Sequence, residues 1–362
     1  MATLIFKSRW IVKEINMKRF LAFLLVVAMI AVTLVSCNSA KDGSDNSNST
    51  TDSGHGTDDS NTSSDEDGSD NNTEIKNYPN DSELIGYCTQ DSLYDGEFNS
   101  KVGWKAAGMG YIVKTGDGNL IAIDGGNYHD GEAFYALLDE NYDKEEKLVV
   151  DYWILTHPHI DHIGAFLSIA SDQSLASNIV VKNLIYYFPS GFDKVDISSH
   201  IKDVQRAAST FGAKTVIPKI NKTIEIDDVS MDFLYIPADY SGLDNVNQLS
   251  LIFTVTSKKK VMITGDAFAN SLIKVANQYG KELKSDIIQM PHHFLCDTGY
   301  KAFYDYVGAE CMLLPTCIAG YSAMTREDSE YKNDAEFKLH KNMLKTSKSV
   351  YKSFEGNFKI KI

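Results

Sequence analysis

The run Thr156-His157-Pro158-His159-Ile160-Asp161-His162 constrains this 362-residue chain more than any other stretch. It gathers three of the nine histidines and an aspartate directly after the near-continuous apolar segment 148–156. That segment reads as a strand buried on both faces, because a strand with one wet face would alternate apolar and polar residues. Imidazoles and a carboxylate are N and O donors suited to zinc. Four such groups so close in sequence cannot all reach one ion from a regular element. A loop at a strand's end can direct two toward one cation and two toward a neighbour, and two cations about 3.5–4 Å apart can clamp both the attacking and the leaving oxygen of a displacement.

The surrounding pattern is mixed. Residues 108–115 and 120–124 are short β-rich runs around a Gly116-Asp117-Gly118 turn, which predicts a hairpin. Residues 132–140, 197–211, 271–279 and 335–344 read as helices. Residues 179–188, 215–217, 229–236, 249–256, 260–264, 287–290, 312–315 and 358–362 read as strands, with Lys258-Lys259-Lys260 at the turn of a second hairpin. A further helix is expected between 290 and 312. Strands and helices alternate too irregularly for one doubly wound sheet, so the expected class is α+β, with layered mixed sheets and helices outside.

With its spacing His-x-His-x-Asp-His, the 157–162 run resembles the signature of the metallo-β-lactamase superfamily. The resemblance implies an αββα sandwich in which two mixed sheets are flanked by helices. It also implies that His157 and His159 serve one metal while Asp161 and His162 serve a second. Further matches follow in the family's order. Ile123-Asp124-Gly125-Gly126 resembles its early strand ending in Asp-Gly, where the aspartate orients the ligand loops. Thr264-Gly265-Asp266 resembles the segment carrying its metal-bridging carboxylate. Pro291-His292-His293 resembles the last ligand of the second metal. Here His292 is expected as the ligand and His293 as the substrate-contacting or proton-donating group, the reverse order being the alternative.

One departure stands out. Where the family often supplies a third His to the first metal, this chain reads Asn245-Val246-Asn247-Gln248-Leu249-Ser250-Leu251. His200, the only His between 163 and 265, reads as a surface helix residue. The Asn-x-x-Ser-Leu pattern followed by a hairpin, Gly-Asp and a double His resembles a subgroup. It contains the β-lactamase-like domain of the competence protein ComEC and the phosphorylcholine esterase module of choline-binding surface proteins. The resemblance implies a hydrolase with one or two Zn2+ ions (Mn2+ as an alternative), the first held weakly through Asn247 or water. Asp161 and Asp266 would hold the geometry. The implied substrates are phosphoesters of cell-envelope polymers or of nucleic acid. The competing readings are a non-catalytic surface binding lipoprotein and a thioester or lactone hydrolase of the same fold. Phe294, Tyr300 and Tyr321 are candidates for lining the pocket.

The N-terminus carries separate information. In residues 17–37, MKRFLAFLLVVAMIAVTLVSC, Lys18 and Arg19 precede an apolar run, as in an export signal. Its end, Leu34-Val35-Ser36-Cys37, resembles a bacterial lipobox, which implies lipidation of Cys37 and an extracytoplasmic, membrane-anchored protein. Met17 rather than Met1 is the natural start of such a signal. Residues 38–76 are almost entirely Ser, Asp, Asn, Thr and Gly, too poor in apolar groups to offset the entropy of ordering, and are expected to form a disordered linker. The expected division is 1–37 signal, 38–76 linker and 77–362 hydrolase domain. The formal net charge of -14, with no basic run interleaved with aromatics, disfavours nucleic acid as a partner. No protein partner is implied. The five cysteines form no CxxC pair, which excludes a zinc ribbon; Cys88, Cys296, Cys311 and Cys317 are expected mostly as buried free thiols.

Overall fold

The structure, a computed structural model, describes residues 78–97, 106–144, 147–188, 198–237, 243 and 245–362. The expected signal, Cys37 and the linker therefore lie outside the described residues. Among the described residues, no helix is long and apolar enough to cross a membrane.

The chain begins with β1 (Glu83–Gly86), β2 (Gly110–Lys114) and β3 (Leu120–Asp124), followed by α1 (Gly131–Glu140), β4 (Leu148–Ile154), α2 (Ile160–Ser171), the short α3 (Gln173–Ala176), β5 (Ile179–Ile185), α4 (Ser198–Phe211) and β6 (Lys214–Val216). The second half holds β7 (Ile224–Ile226), β8 (Val229–Tyr235), β9 (Ile252–Thr256), β10 (Lys260–Ile263), α5 (Ala269–Tyr279), β11 (Ile287–Gln289), α6 (Lys301–Val307), β12 (Cys311–Leu314), α7 (Ile318–Ala323), α8 (Ala335–Thr346), β13 (Ser349–Lys352) and β14 (Phe358–Lys361). Two seven-stranded sheets result, in the orders β14-β1-β2-β3-β4-β5-β6 and β13-β12-β11-β10-β9-β8-β7. Both are mixed: β3 to β6 run parallel, as do β10 to β13, and the other pairings are antiparallel.

Strand β3 shows why the central strands are almost wholly apolar. Side chains alternate across a sheet with period two. Ile121 and Ile123 join the layer between the sheets, with Val255, Val261 and Ile287 opposite, while Leu120 and Ala122 join the outer layer under α1, α2 and α4. A third apolar layer packs α5, α6 and α8 on the far side of the second sheet through Leu272, Phe303 and Leu339. Both faces of both sheets are covered, which is the αββα sandwich expected. Each fully buried large apolar side chain contributes about 1.5–3 kcal/mol. Trp153 does more than fill space. It packs edge-on to Phe166 at 5.1 Å, and its indole Nε1–H donates to the Asp124 carbonyl at 2.9 Å, tying the core to the end of β3.

The main local surprise is α2. The 157–162 run was expected to be a loop, yet Asp161 and His162 lie in the first turn of this helix. Its sequence is apolar nearly all round because sheet, α1 and α4 bury it from several sides, so the one-sided stripe that marks a surface helix is missing. Gly164 permits the closest approach: a Cβ there would stand 2.3 Å from the Tyr128 nitrogen. Strands β1, β7 and β13 were not anticipated. The expected strand 249–256 begins instead at Ile252, after a 3-10 turn over Val246–Leu249. All four described cysteines are free, but only Cys317 is buried; Cys88, Cys296 and Cys311 are partly exposed.

Candidate metal centre

The C-terminal ends of β3, β4, β10 and β11 deliver the site, in keeping with the general placement of ligands beyond the carboxyl ends of parallel strands. Asp124 closes β3 in a left-handed conformation, φ 54°, and is fully buried. Its Oδ1 accepts the Thr156 amide at 2.8 Å and its Oδ2 accepts the Thr156 hydroxyl at 2.7 Å, which pins the start of the ligand loop after β4. The same Oδ2 lies 2.7 Å from His162 Nδ1. A carboxylate can only accept, so that nitrogen carries a proton and Nε2 is the atom left facing the cluster.

Asp266 follows β10 through Gly265, whose φ of 54° and 3.0 Å clearance from Thr156 Cβ leave no room for a side chain. The Asp266 amide donates to Ser250 Oγ at 3.0 Å. Its carboxylate sits 3.2 Å from His162 Nε2, 3.2 Å from His293 Nε2 and 3.6 Å from His157 Nε2. His293 Nε2 is also 3.0 Å from Asp161 Oδ2. Two ligand sets emerge that share one carboxylate: Asp161, His162, Asp266 and His293, and beside them His157, His159 and Asp266.

The electrostatics call for positive charge. Burial opposes a charge on His293, but Asp266 and Asp161 outweigh it and push its pKa up to about 10. Burial likewise opposes a charge on His162, yet Asp266, Asp124 and Asp161 hold its pKa well above the usual range. The same imidazoles overcome burial at Asp266 and Asp161 and lower both carboxyls. By contrast, burial dominates at His157 and His159 and lowers both, so they stand as neutral donors at neutral pH.

A divalent cation fits these residues. His293 Nδ1 donates to the Pro315 carbonyl at 2.7 Å, so its Nε2, like that of His162, is the atom turned to the carboxylates and becomes a donor to a cation once its proton leaves. The two Nε2 atoms are 3.3 Å apart, so the two protonated rings repel each other, and a cation between them and the carboxylates would take the place of both protons. Asp266 Oδ1 is buried 3.2 Å from His162 Nε2 without good hydrogen-bond geometry to it, an acceptor that a cation would satisfy. The N/O donor set suits zinc.

Six expected site residues thus come together: His157, His159, Asp161, His162, Asp266 and Asp124, the last from behind. The double His is ordered opposite to expectation. His293, not His292, enters the cluster, because His292, His293 and Phe294 all adopt positive φ (49°, 55° and 64°) and turn the second ring inward. His292 Nδ1 donates to the Cys296 carbonyl at 2.7 Å, and its ring centre is 6.3 Å from that of His293. Asn247 is buried in the turn before Ser250, and its Oδ1 accepts no hydrogen bond among the described residues. His200 is not a plain surface residue: it is half-buried, and its Nδ1 donates to the Pro158 carbonyl at 2.9 Å, bracing the ligand loop. Phe294 is core rather than pocket lining, stacked on His340, and Tyr300 and Tyr321 pack against the same outer core. Sequence reading missed the supports at Thr156, Ser250 and Pro315. Of these, only Ser250, inside the Asn-x-x-Ser-Leu pattern, carried a signal.

Replacing Asp124 with Asn is expected to weaken zinc affinity about 10–100-fold, since an amide has one acceptor oxygen for three donors and no longer fixes the His162 tautomer. Competition with a chromophoric chelator checks this; unchanged affinity would remove Asp124 from the site.

No curated protein sequence matches the chain. Among solved structures it is similar to the metallo-beta-lactamase fold protein YhfI from Bacillus subtilis, with 15% identity and a TM-score of 0.47 over 77% of this chain and 100% of that one. Zn(2+)-bound PqqB from Methylobacterium extorquens aligns at 11% identity and a TM-score of 0.39, covering 58% of this chain and 72% of that one. A possible metal-dependent hydrolase from Veillonella parvula aligns at 12% identity and a TM-score of 0.37, covering 70% and 96%. The family model for the metallo-beta-lactamase superfamily matches residues 107–296, more than half the chain and the whole span from the start of β2 to the double His. On that match, and with its signature residues gathered in one buried cluster, the chain belongs to the metallo-β-lactamase superfamily.

Proposed function

We propose that this protein is a metal-dependent hydrolase of phosphodiester or phosphorylcholine-type substrates, acting outside the cytoplasm from a lipid anchor on Cys37. The observation that carries the reading is the convergence of imidazoles and carboxylates from separate strand ends around the shared Asp266. When bound, one or two divalent cations, zinc or manganese, supply Lewis acidity that acidifies water and offsets negative charge on a phosphoryl oxygen. Asp161, His162, Asp266 and His293 would hold one cation; His157, His159 and Asp266 would hold the other more weakly, with Asn247 or water in place of a third imidazole. His159 and Asp161 are the members of the cluster least covered by protein, so substrate approaches from their side. His292, the double-His member outside the ligand cluster, takes the substrate-contacting and proton-transferring role. Burial lowers its pKa, which keeps it neutral and able to accept a proton at Nε2. The Asn245-to-Leu251 pattern and the missing third His support a phosphoester over a β-lactam. The acidic charge supports an envelope polymer over nucleic acid.

The test measures metal content of the full chain together with turnover of bis-p-nitrophenyl phosphate, p-nitrophenyl phosphorylcholine and a panel of chromogenic thioesters and lactones. Bound zinc or manganese and chelator-sensitive phosphodiester turnover are expected. Turnover confined to thioesters or lactones would replace the substrate class. A folded chain that takes up no metal would favour the binding lipoprotein.

A further inference from the structure

We infer that helix α8, which lies beyond the segment matched by the family model, positions the metal ligand His293 through Glu336; this rests on the metal-centre reading above. The double His stands in a segment with three consecutive positive φ values and a fourth, 70°, at Asp297. Residues without glycine's freedom hold such angles only where their surroundings impose them. Part of what imposes them is local: the Pro315 carbonyl on His293 and the Cys296 carbonyl on His292. The rest comes from α8. Glu336 Oε2 accepts the Asp297 amide at 2.9 Å, while Oε1 accepts both the Thr298 amide at 2.6 Å and the Thr298 hydroxyl at 2.7 Å. One turn later, His340 stacks on Phe294, the residue after His293, at 4.6 Å and 23°. Its Nε2 lies 3.3 Å from the Thr298 hydroxyl.

The clamp reaches a second ligand loop as well. The Asp297 carbonyl accepts the Ala269 amide at 2.7 Å, and Ala269 opens α5 three residues after Asp266. One carboxylate on α8 therefore holds the backbone that fixes His293 and braces the chain leaving Asp266. Glu336 touches neither substrate nor ligand atoms. It is a positioning residue, and its effect is to be read on the ligand loop and on metal affinity.

The test uses the full chain with Glu336→Ala, Glu336→Gln and, as a control, Leu339→Ala, which loosens the packing of the same helix without bonding the loop. Zinc affinity is measured by chelator competition. Amide hydrogen exchange at Leu295, Asp297 and Thr298 is measured in the metal-free protein. Glu336→Ala is expected to weaken zinc about 10–100-fold and to speed exchange at those amides at least about tenfold. Glu336→Gln should fall between it and wild type, because its one remaining oxygen can still serve Thr298. Leu339→Ala should lower the melting temperature yet keep zinc affinity within about threefold of wild type. Unchanged exchange in Glu336→Ala overturns the clamp, as does an equal loss of affinity in Leu339→Ala. A wild type that binds no zinc counts against the metal centre instead, and the exchange result still decides the clamp.

Discussion

Asp266→Ala is expected to leave the chain without tightly bound zinc and to cut phosphodiester kcat/KM at least about 10³-fold. The size follows from its place in both ligand sets. Its carboxylate lies within 3.6 Å of His157 Nε2 and 3.2 Å of both His162 Nε2 and His293 Nε2, and no other residue belongs to both groups. Removing a ligand used once leaves a site with fewer donors; removing the shared one weakens both ions and deletes the negative charge that balances them. A loss of about 4 kcal/mol in transition-state stabilisation, ordinary for removal of metal assistance, is a factor of about 10³ in rate. Metal analysis and steady-state kinetics on the same preparation check it. Circular dichroism confirms that the variant is folded, as expected because the backbone amide at 266 keeps its bond to Ser250 Oγ. A variant with wild-type turnover would move the chemistry to another part of the molecule.

What the sequence made legible follows from where the determinants are local. The 148–156 and 120–124 runs are apolar at nearly every position because each strand meets protein on both faces, so their burial could be read directly. The ligand loop could be read because chemistry demands particular residue types at close spacing, and Asp124 because its Gly-Gly neighbours mark a turn. The failures have equally definite causes. Which of two adjacent histidines turns inward depends on three successive backbone angles, and those are imposed by Pro315, Cys296 and α8 rather than by the pair itself. The helical half of the signature was hidden because α2 is buried on several sides and shows no polar stripe. His200 and Glu336 act across 42 and 39 residues of sequence, on Pro158 and Asp297, with side chains that are ordinary for a helix surface. No periodicity records a partner at that distance.

The second large effect concerns acid, and it belongs to His340. This ring is fully buried between Phe294 and Tyr304, and burial alone drives its pKa from 6.5 down to about 3. The unfolded chain protonates this histidine near 6.5, whereas the folded chain resists until about 3. Between those values the unfolded state holds the extra proton, so folded stability is complete above about pH 6.5 and falls as pH drops toward 3. At pH 4 the loss from this one residue is about 3 kcal/mol, with about 5 as the ceiling well below pH 3. His340→Phe keeps a ring against Phe294 and removes the titration. Measured without metal, so that cation release does not contribute, wild type should lose about 2–3 kcal/mol more than His340→Phe between pH 7 and pH 4. Carboxylate protonation destabilises both proteins alike and cancels in the difference. Denaturant titrations at the two pH values read it directly. Parallel losses would mean that the folded protein opens a path for water to His340, and with it that α8 is not seated on the ligand loop in acid.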